Sequence, residues 1–103
     1  MMNLEFSGFD WDEGNAQKCL KHGVTKEEIE DLFLSEGIYL SKDSEHSNYE
    51  RRMQVYGETD QGKFLFVAFT FQEITNNIFV RPISARYMHD KEVGKYEKTN
   101  SSF

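Results

Sequence analysis

The side chains best suited to chemistry stand in two groups: Arg81, Ser84, Arg86, Tyr87 and His89 within the stretch Asn77 to Lys91, and Lys18, Lys21 and His22 much earlier. Arginine presents a planar fork of donors that matches two phosphate oxygens. A serine hydroxyl adds a further donor, and imidazole is the side chain whose ordinary titration lies nearest neutrality. Together these types suit a phosphate group and a proton transfer beside it. The competing reading is an exposed strand face whose arginines pair with carboxylates.

For the first group to act together, Arg81, Ser84 and Arg86 must share a face, although their spacing is not that of a regular strand. Pro82 has no N–H for a ladder and implies an edge or a bulge. A bulge shifts the side-chain phase by one. Phe79 and Arg81 then point outward before Pro82; after it Ile83 and Ala85 turn inward while Ser84 and Arg86 turn outward. The second group needs a helix. Asp10 followed three residues later by Glu13 resembles a capping box, Ala16, Cys19 and Leu20 give a buried stripe, and Lys18, Lys21 and His22 project from the other face with Asn15 alongside. Gly23 ends the helix in a left-handed cap. If the two groups form one site, this helix must lie beside the outward edge of the last strand, with its cations and the arginines close together and no carboxylate row between them.

The remaining elements follow from period and turn chemistry. Leu4 to Trp11 reads as a short strand interrupted by Ser7-Gly8. Thr25 with Glu28 caps a second helix with Ile29, Leu32 and Phe33 inward, ending near Ser35. This is not a DNA-reading helix-turn-helix, because Glu27, Glu28, Glu30 and Asp31 would repel phosphates. Ile38 to Ser41 is a strand, 42–48 a polar loop, and Glu50 to Thr59 a strand with Met53 and Val55 on one side. Asp60-Gln61-Gly62 is a turn. Lys63 to Gln72 is apolar on both faces and therefore central, and Thr75-Asn76-Asn77 closes a hairpin. A last helix runs from about His89 to Lys98 with Val93 and Tyr96 inward, followed by a tail over 99–103. The expectation is an α+β domain over 1–98: two N-terminal helices on an antiparallel meander sheet, plus a C-terminal helix.

Composition bounds the function. A chain of 103 residues is one domain, and 38% hydrophobic residues, nine of them Phe, supply a moderate core. No run approaches the roughly 18 apolar residues of a membrane span, and the N-terminus carries no basic-then-apolar leader, so a cytoplasmic protein is expected. One cysteine, Cys19, excludes an internal disulfide and a cysteine-based zinc site, and three scattered histidines suggest no metal. A net charge of −6 argues against non-specific nucleic-acid binding, so any such role rests on a local patch.

Trp-Asp-Glu-Gly-Asn at 11–15, Lys-Cys at 18–19, Lys-His-Gly-Val at 21–24, Glu-Ile-Glu at 28–30, Phe33, Glu50 with Arg52, and Arg-Pro-Ile-Ser-Ala-Arg-Tyr-Met-His at 81–89 together resemble the BrnT family of bacterial type II toxin–antitoxin systems. Where many members carry a lysine soon after the Trp-Asp pair, this chain has Asn15. The resemblance implies a RelE-like fold, a ribonuclease that arrests translation without a metal or other cofactor, and a cognate antitoxin that dimerises, binds DNA and neutralises the toxin. A ribosome that presents the RNA is a further partner to consider. Metal-free cleavage uses the neighbouring 2′-OH as nucleophile. On these residues His22 would move the proton, Arg81 and Arg86 hold the scissile phosphate, and Glu50 or Tyr87 orient the histidine. Lys18, Lys21, Arg52 and Ser84 would contact RNA, and His89 is a second acid–base candidate. Each has a plainer role: His22 a helix cap, Glu50 a partner of Arg52, Tyr87 core, His89 a helix first turn, and His46 merely exposed. The second functional reading is a non-enzymatic domain of the same fold that binds an antitoxin or another protein.

Overall fold

A computed structural model describes residues 5–42 and 52–100, the side chains of Lys42, Thr99 and Asn100 excepted. The expected start of the first strand at Leu4, the loop with His46, Glu50 and the last three residues of the tail lie outside the described residues. Eight elements follow in order: β1 (Gly8–Phe9), α1 (Glu13–Leu20), α2 (Lys26–Leu34), β2 (Ile38–Lys42), β3 (Met53–Glu58), β4 (Phe64–Ile74), β5 (Asn77–Tyr87) and α3 (Asp90–Asn100). The fold is α+β with the strands in the order β1-β5-β4-β3-β2.

The meander β2 to β5 is antiparallel as expected, but β1 joins β5 in parallel, so the sheet is mixed. Period and turn signals do not report pairing direction across seventy residues, and the strand is only two residues long. The N–H of Ser7 and of Asp10 nevertheless donate to the carbonyls of Ile78 and Val80 at 2.7 and 2.8 Å, which locks the chain entering α1 onto β5.

Leu65, Val67 and Phe69 of the central strand β4 are fully buried and meet Val55, Val80 and Ala85 beneath Cys19, Val24, Ile29, Leu32 and Phe33 of the helical layer. Phe33 stands edge-on to Phe6, Phe9 and Phe69 at 6.2, 5.6 and 4.9 Å, contacts worth about 0.5–1.5 kcal/mol each beyond their buried area. The other face of β4 is only half-buried, because α3 covers just part of it: Tyr96 packs on Tyr39 and Phe64 and donates its hydroxyl to the Gly37 carbonyl. The β4–β5 turn places Thr75 and Asn76 at φ 50° and 67°, the two left-handed residues that a tight hairpin requires.

The bulge implied by Pro82 is present. Ala68 pairs with Ser84 but Phe69 pairs with Pro82, leaving Ile83 as the extra residue. Val80 and Pro82 are buried before the bulge and Ala85 after it, so Arg81, Ser84 and Arg86 do share a face. Ile83 does not turn inward as expected: it lines a concavity beside Arg81, because the two residues of a bulge face one partner residue and need not alternate.

Candidate active site

The site is assembled where α1 lies along β5 beyond the short reach of β1. Asn15 makes the junction. It is 5% exposed, its amide nitrogen donates to the carbonyls of Asp10 (3.0 Å) and Pro82 (2.8 Å), and its oxygen accepts from the Asp12 N–H at 2.7 Å. The capping box of α1 is therefore Asp12 with Asn15, two residues later than the Asp10–Glu13 pair suggested. Asn15 also leaves the polar face on which it was placed and joins Cys19 in the buried stripe, while Leu20 is exposed. A short amide satisfied on three sides looks, in sequence, like any polar helix residue. Burial pushes the Cys19 thiol up to about 11, so it is a core side chain rather than a nucleophile.

With α1 so fixed, His22 and Lys18 overlook the outward face of the sheet. His22, Gln54, Phe66, Ser84, Arg86 and Glu92 line one concavity of about 390 Å³. One step along the strands, Lys18, Arg52, Thr70, Gln72, Arg81 and Ile83 line another of about 520 Å³. The site residues expected from sequence thus fall into two neighbouring sets, His22–Ser84–Arg86 and Lys18–Arg52–Arg81. Lys21 is exposed and outside both linings, and His89 is exposed ahead of α3. Glu50 lies outside the described residues.

Tyr87 points to the helical side of the sheet. Its hydroxyl donates to Glu28 Oε1 at 2.7 Å and lies 3.4 Å from the Gly23 carbonyl, tying the turn that carries His22 to the end of β5. That turn owes its shape to Gly23 at φ 86°. The Glu28 carboxylate also closes the α2 capping box with Thr25. Partial burial opposes its charge, but the hydrogen bonds from Thr25 and Tyr87 outweigh this and hold its carboxyl below the ordinary range.

The electrostatics differ from the expected cluster of unaccompanied cations. Arg81 is clamped by Asp12 at 2.7 Å and Asp10 at 3.2 Å. Arg86 makes a bidentate pair with Glu92 at 2.8 and 2.9 Å and lies 4.5 Å from the centre of the Phe66 ring. The Arg86 hydrogen bonds, then that of the His89 N–H, hold the Glu92 carboxyl down at about 2 from an ordinary 4.5. Three carboxylates thus stand among these cations. Their signals were present as helix-capping patterns: Asp12 three residues before Asn15, and Glu92 three residues after His89. Nothing in the spacing assigned them to the arginines, since Asp12 and Arg81 are 69 residues apart. Gln54 and Phe66 complete the first concavity and carried no signal beyond strand alternation.

Comparison with curated proteins gave no match. The family model described as "Ribonuclease toxin, BrnT, of type II toxin-antitoxin system" matches residues 11–92, a span that runs from Trp11 to Glu92 and includes both concavities. The partners such a system entails are an RNA substrate and an antitoxin. Covering most of the chain, the match shows that this protein belongs to the BrnT family of ribonuclease toxins of type II toxin–antitoxin systems.

Proposed function

We propose that this chain is a metal-independent endoribonuclease whose reacting phosphate binds between His22 and Arg86, and that a DNA-binding antitoxin neutralises it. The observation that carries the reading is the concavity in which an imidazole, a hydroxyl and a guanidinium converge, His22, Ser84 and Arg86. The 2′-OH of the nucleotide attacks phosphorus and gives up its proton, the P–O5′ bond breaks, and the products are a 2′,3′-cyclic phosphate and a 5′-hydroxyl. His22 is the proton-transfer group. Glu92 is a poor alternative, because a carboxylate held at about 2 is too weak a base to accept a proton efficiently near neutrality. Arg86 stabilises the charge that develops on the phosphorane. Its terminal nitrogens are occupied by Glu92, so the phosphate displaces that carboxylate or takes the Nε–H edge. Ser84 adds a hydroxyl donor. Lys18, Arg52 and Arg81 guide the flanking backbone, with Lys21 on the approach. Tyr87 positions the histidine turn, and the exposed His89 is a reserve acid–base group.

The test is cleavage of RNA by the purified protein with and without EDTA, and growth arrest on expression without the antitoxin. Arg86→Ala and His22→Ala each lower cleavage about a hundredfold, roughly 3 kcal/mol of lost transition-state stabilisation, with the fold intact. Unchanged cleavage by either folded variant removes that residue from the site, and loss of activity in EDTA refutes metal independence. A second reading is favoured by the carboxylates on Arg81 and Arg86 together with a net charge of −6: a domain retained for antitoxin binding alone. No cleavage and no arrest by the wild-type chain, with the antitoxin still bound, establishes it instead.

A further inference from the structure

Next to the His22–Arg86 concavity the sheet carries a second feature, a straight rung of side chains across four strands. Tyr39 pairs with Tyr56, Tyr56 with Phe66, and Phe66 with Arg86. All four lie on the outward face. Tyr39 and Tyr56 are stacked with their centroids 5.4 Å apart and planes at 23°, and Tyr56 to Phe66 is 5.1 Å at 35°. The guanidinium of Arg86 continues the row over Phe66. These rings are half-buried rather than sealed in a core; α3 meets the row where Tyr96 stands edge-on to Tyr39 at 5.8 Å, and beside that contact lies a concavity of about 370 Å³ lined by Tyr39, Tyr56 and Phe66 of the sheet and by Glu92, Lys95 and Tyr96 of α3.

We propose that this concavity binds a nucleobase of single-stranded RNA whose adjoining phosphate is held at Arg86. The volume falls in the range of about 300–1,000 Å³ typical of small-ligand sites, and near-parallel aromatic faces are the surface on which any base stacks. Continuity sets the occupant: Phe66 and Glu92 line both this concavity and the one containing His22, so a strand with its phosphate at Arg86 places a neighbouring base over Tyr56. Lys95 at the rim meets the backbone beyond that base. The inference rests on Arg86 as the phosphate site and adds a base-binding step to it.

The experiment measures binding of two short, 2′-O-methylated and hence uncleavable oligoribonucleotides to the full chain, one complete and one abasic at a single central position, by fluorescence anisotropy. The complete strand is expected to bind about tenfold more tightly. Tyr56→Leu abolishes that difference and Tyr56→Trp keeps it, which separates loss of stacking from loss of fold. Equal binding of both strands by the wild type, or binding of neither, overturns the proposal. So does protection of the Tyr39 and Tyr56 ring resonances by a protein partner but not by the oligonucleotide. The catalytic reading fails separately: base-dependent binding with no cleavage of the unmodified strand retains this site and removes the reaction.

Discussion

Glu92→Gln measures what the carboxylate opposite Arg86 does. A phosphate drawn to Arg86 comes within about 4 Å of Glu92, where two like charges repel by about 1 kcal/mol in water and about 4 kcal/mol at an effective dielectric of 20. With 39% of the Arg86 side chain and 30% of the Glu92 side chain exposed, the site is closer to the watery limit, about 1–2 kcal/mol. Removing the charge therefore tightens phosphate binding about fivefold to thirtyfold. The opposing effect is small. Glutamine keeps an acceptor for the His89 N–H, which Glu92 now receives at 2.8 Å, and an exposed ion pair of this kind contributes about 0–1 kcal/mol, a loss of at most a few degrees in Tm. Titration of the Arg86 Nε–H resonance with inorganic phosphate, alongside KM for RNA, reads the result. Weaker phosphate binding and a lower kcat in a folded Glu92→Gln protein would refute the reasoning, for Glu92 would then present Arg86 rather than compete for it.

Asn15→Ala leaves the Pro82 carbonyl and the Asp12 N–H without their partner at a buried junction, and urea denaturation is expected to show a loss of about 2–4 kcal/mol. Thr75→Asn relieves a β-branched residue at φ 50° and raises stability by about 0.5–1 kcal/mol in the same assay. Because the Glu92 carboxyl is depressed from 4.5 to about 2, its stabilising contribution is complete above about pH 4.5 and disappears as pH falls toward 2; Tm followed against pH falls less steeply through that window in Glu92→Gln than in the wild type. Deleting Ile83 removes the extra residue of the bulge and leaves Arg81, Ser84 and Arg86 in regular alternation on the outward face, so cooperative urea unfolding is expected to persist; its loss would show that the fold requires the bulge itself.

Much of the fold was legible because hydrophobic period and capping chemistry are local. The α2 box at Thr25–Glu28, the stop at Gly23 and the doubly apolar β4 each follow from residues within a turn or two of one another. The bulge was legible for a different reason: proline at 82 cannot serve a ladder, and Arg81 and Arg86 share a face only if the phase slips. What stayed hidden was long-range and polar. Asn15 reaches Pro82 across 67 positions, and no pattern distinguishes an amide that clamps a sheet edge from one that faces water. The same holds for Asp12 and Glu92: their capping grammar was readable, but their second partners, the arginines, were set by how α1 and α3 dock, while Asp10, which its spacing to Glu13 offered as the cap, pairs with Arg81 instead. The parallel pairing of β1 belongs with these, since two backbone contacts leave no signature in side-chain alternation.

If RNA binds at the proposed site, the internal pairing of Arg81 with two aspartates and of Arg86 with Glu92 also sets how its affinity responds to ionic strength. A cation that meets a phosphate from a free state releases condensed counterions from the nucleic acid, and each such contact steepens the dependence of log K on log salt by nearly one. An arginine that exchanges a carboxylate for a phosphate returns an uncompensated anion to the surface, which gathers a counterion of its own. The two ion movements offset one another. Contacts through Arg81 and Arg86 therefore add little to the salt slope, and whatever slope exists is carried by exposed lysines such as Lys18 and Lys21. On the proposed site, a toxin built this way would recognise its substrate through geometry at the two guanidiniums, with an affinity that survives changes of ionic strength fatal to a purely electrostatic binder.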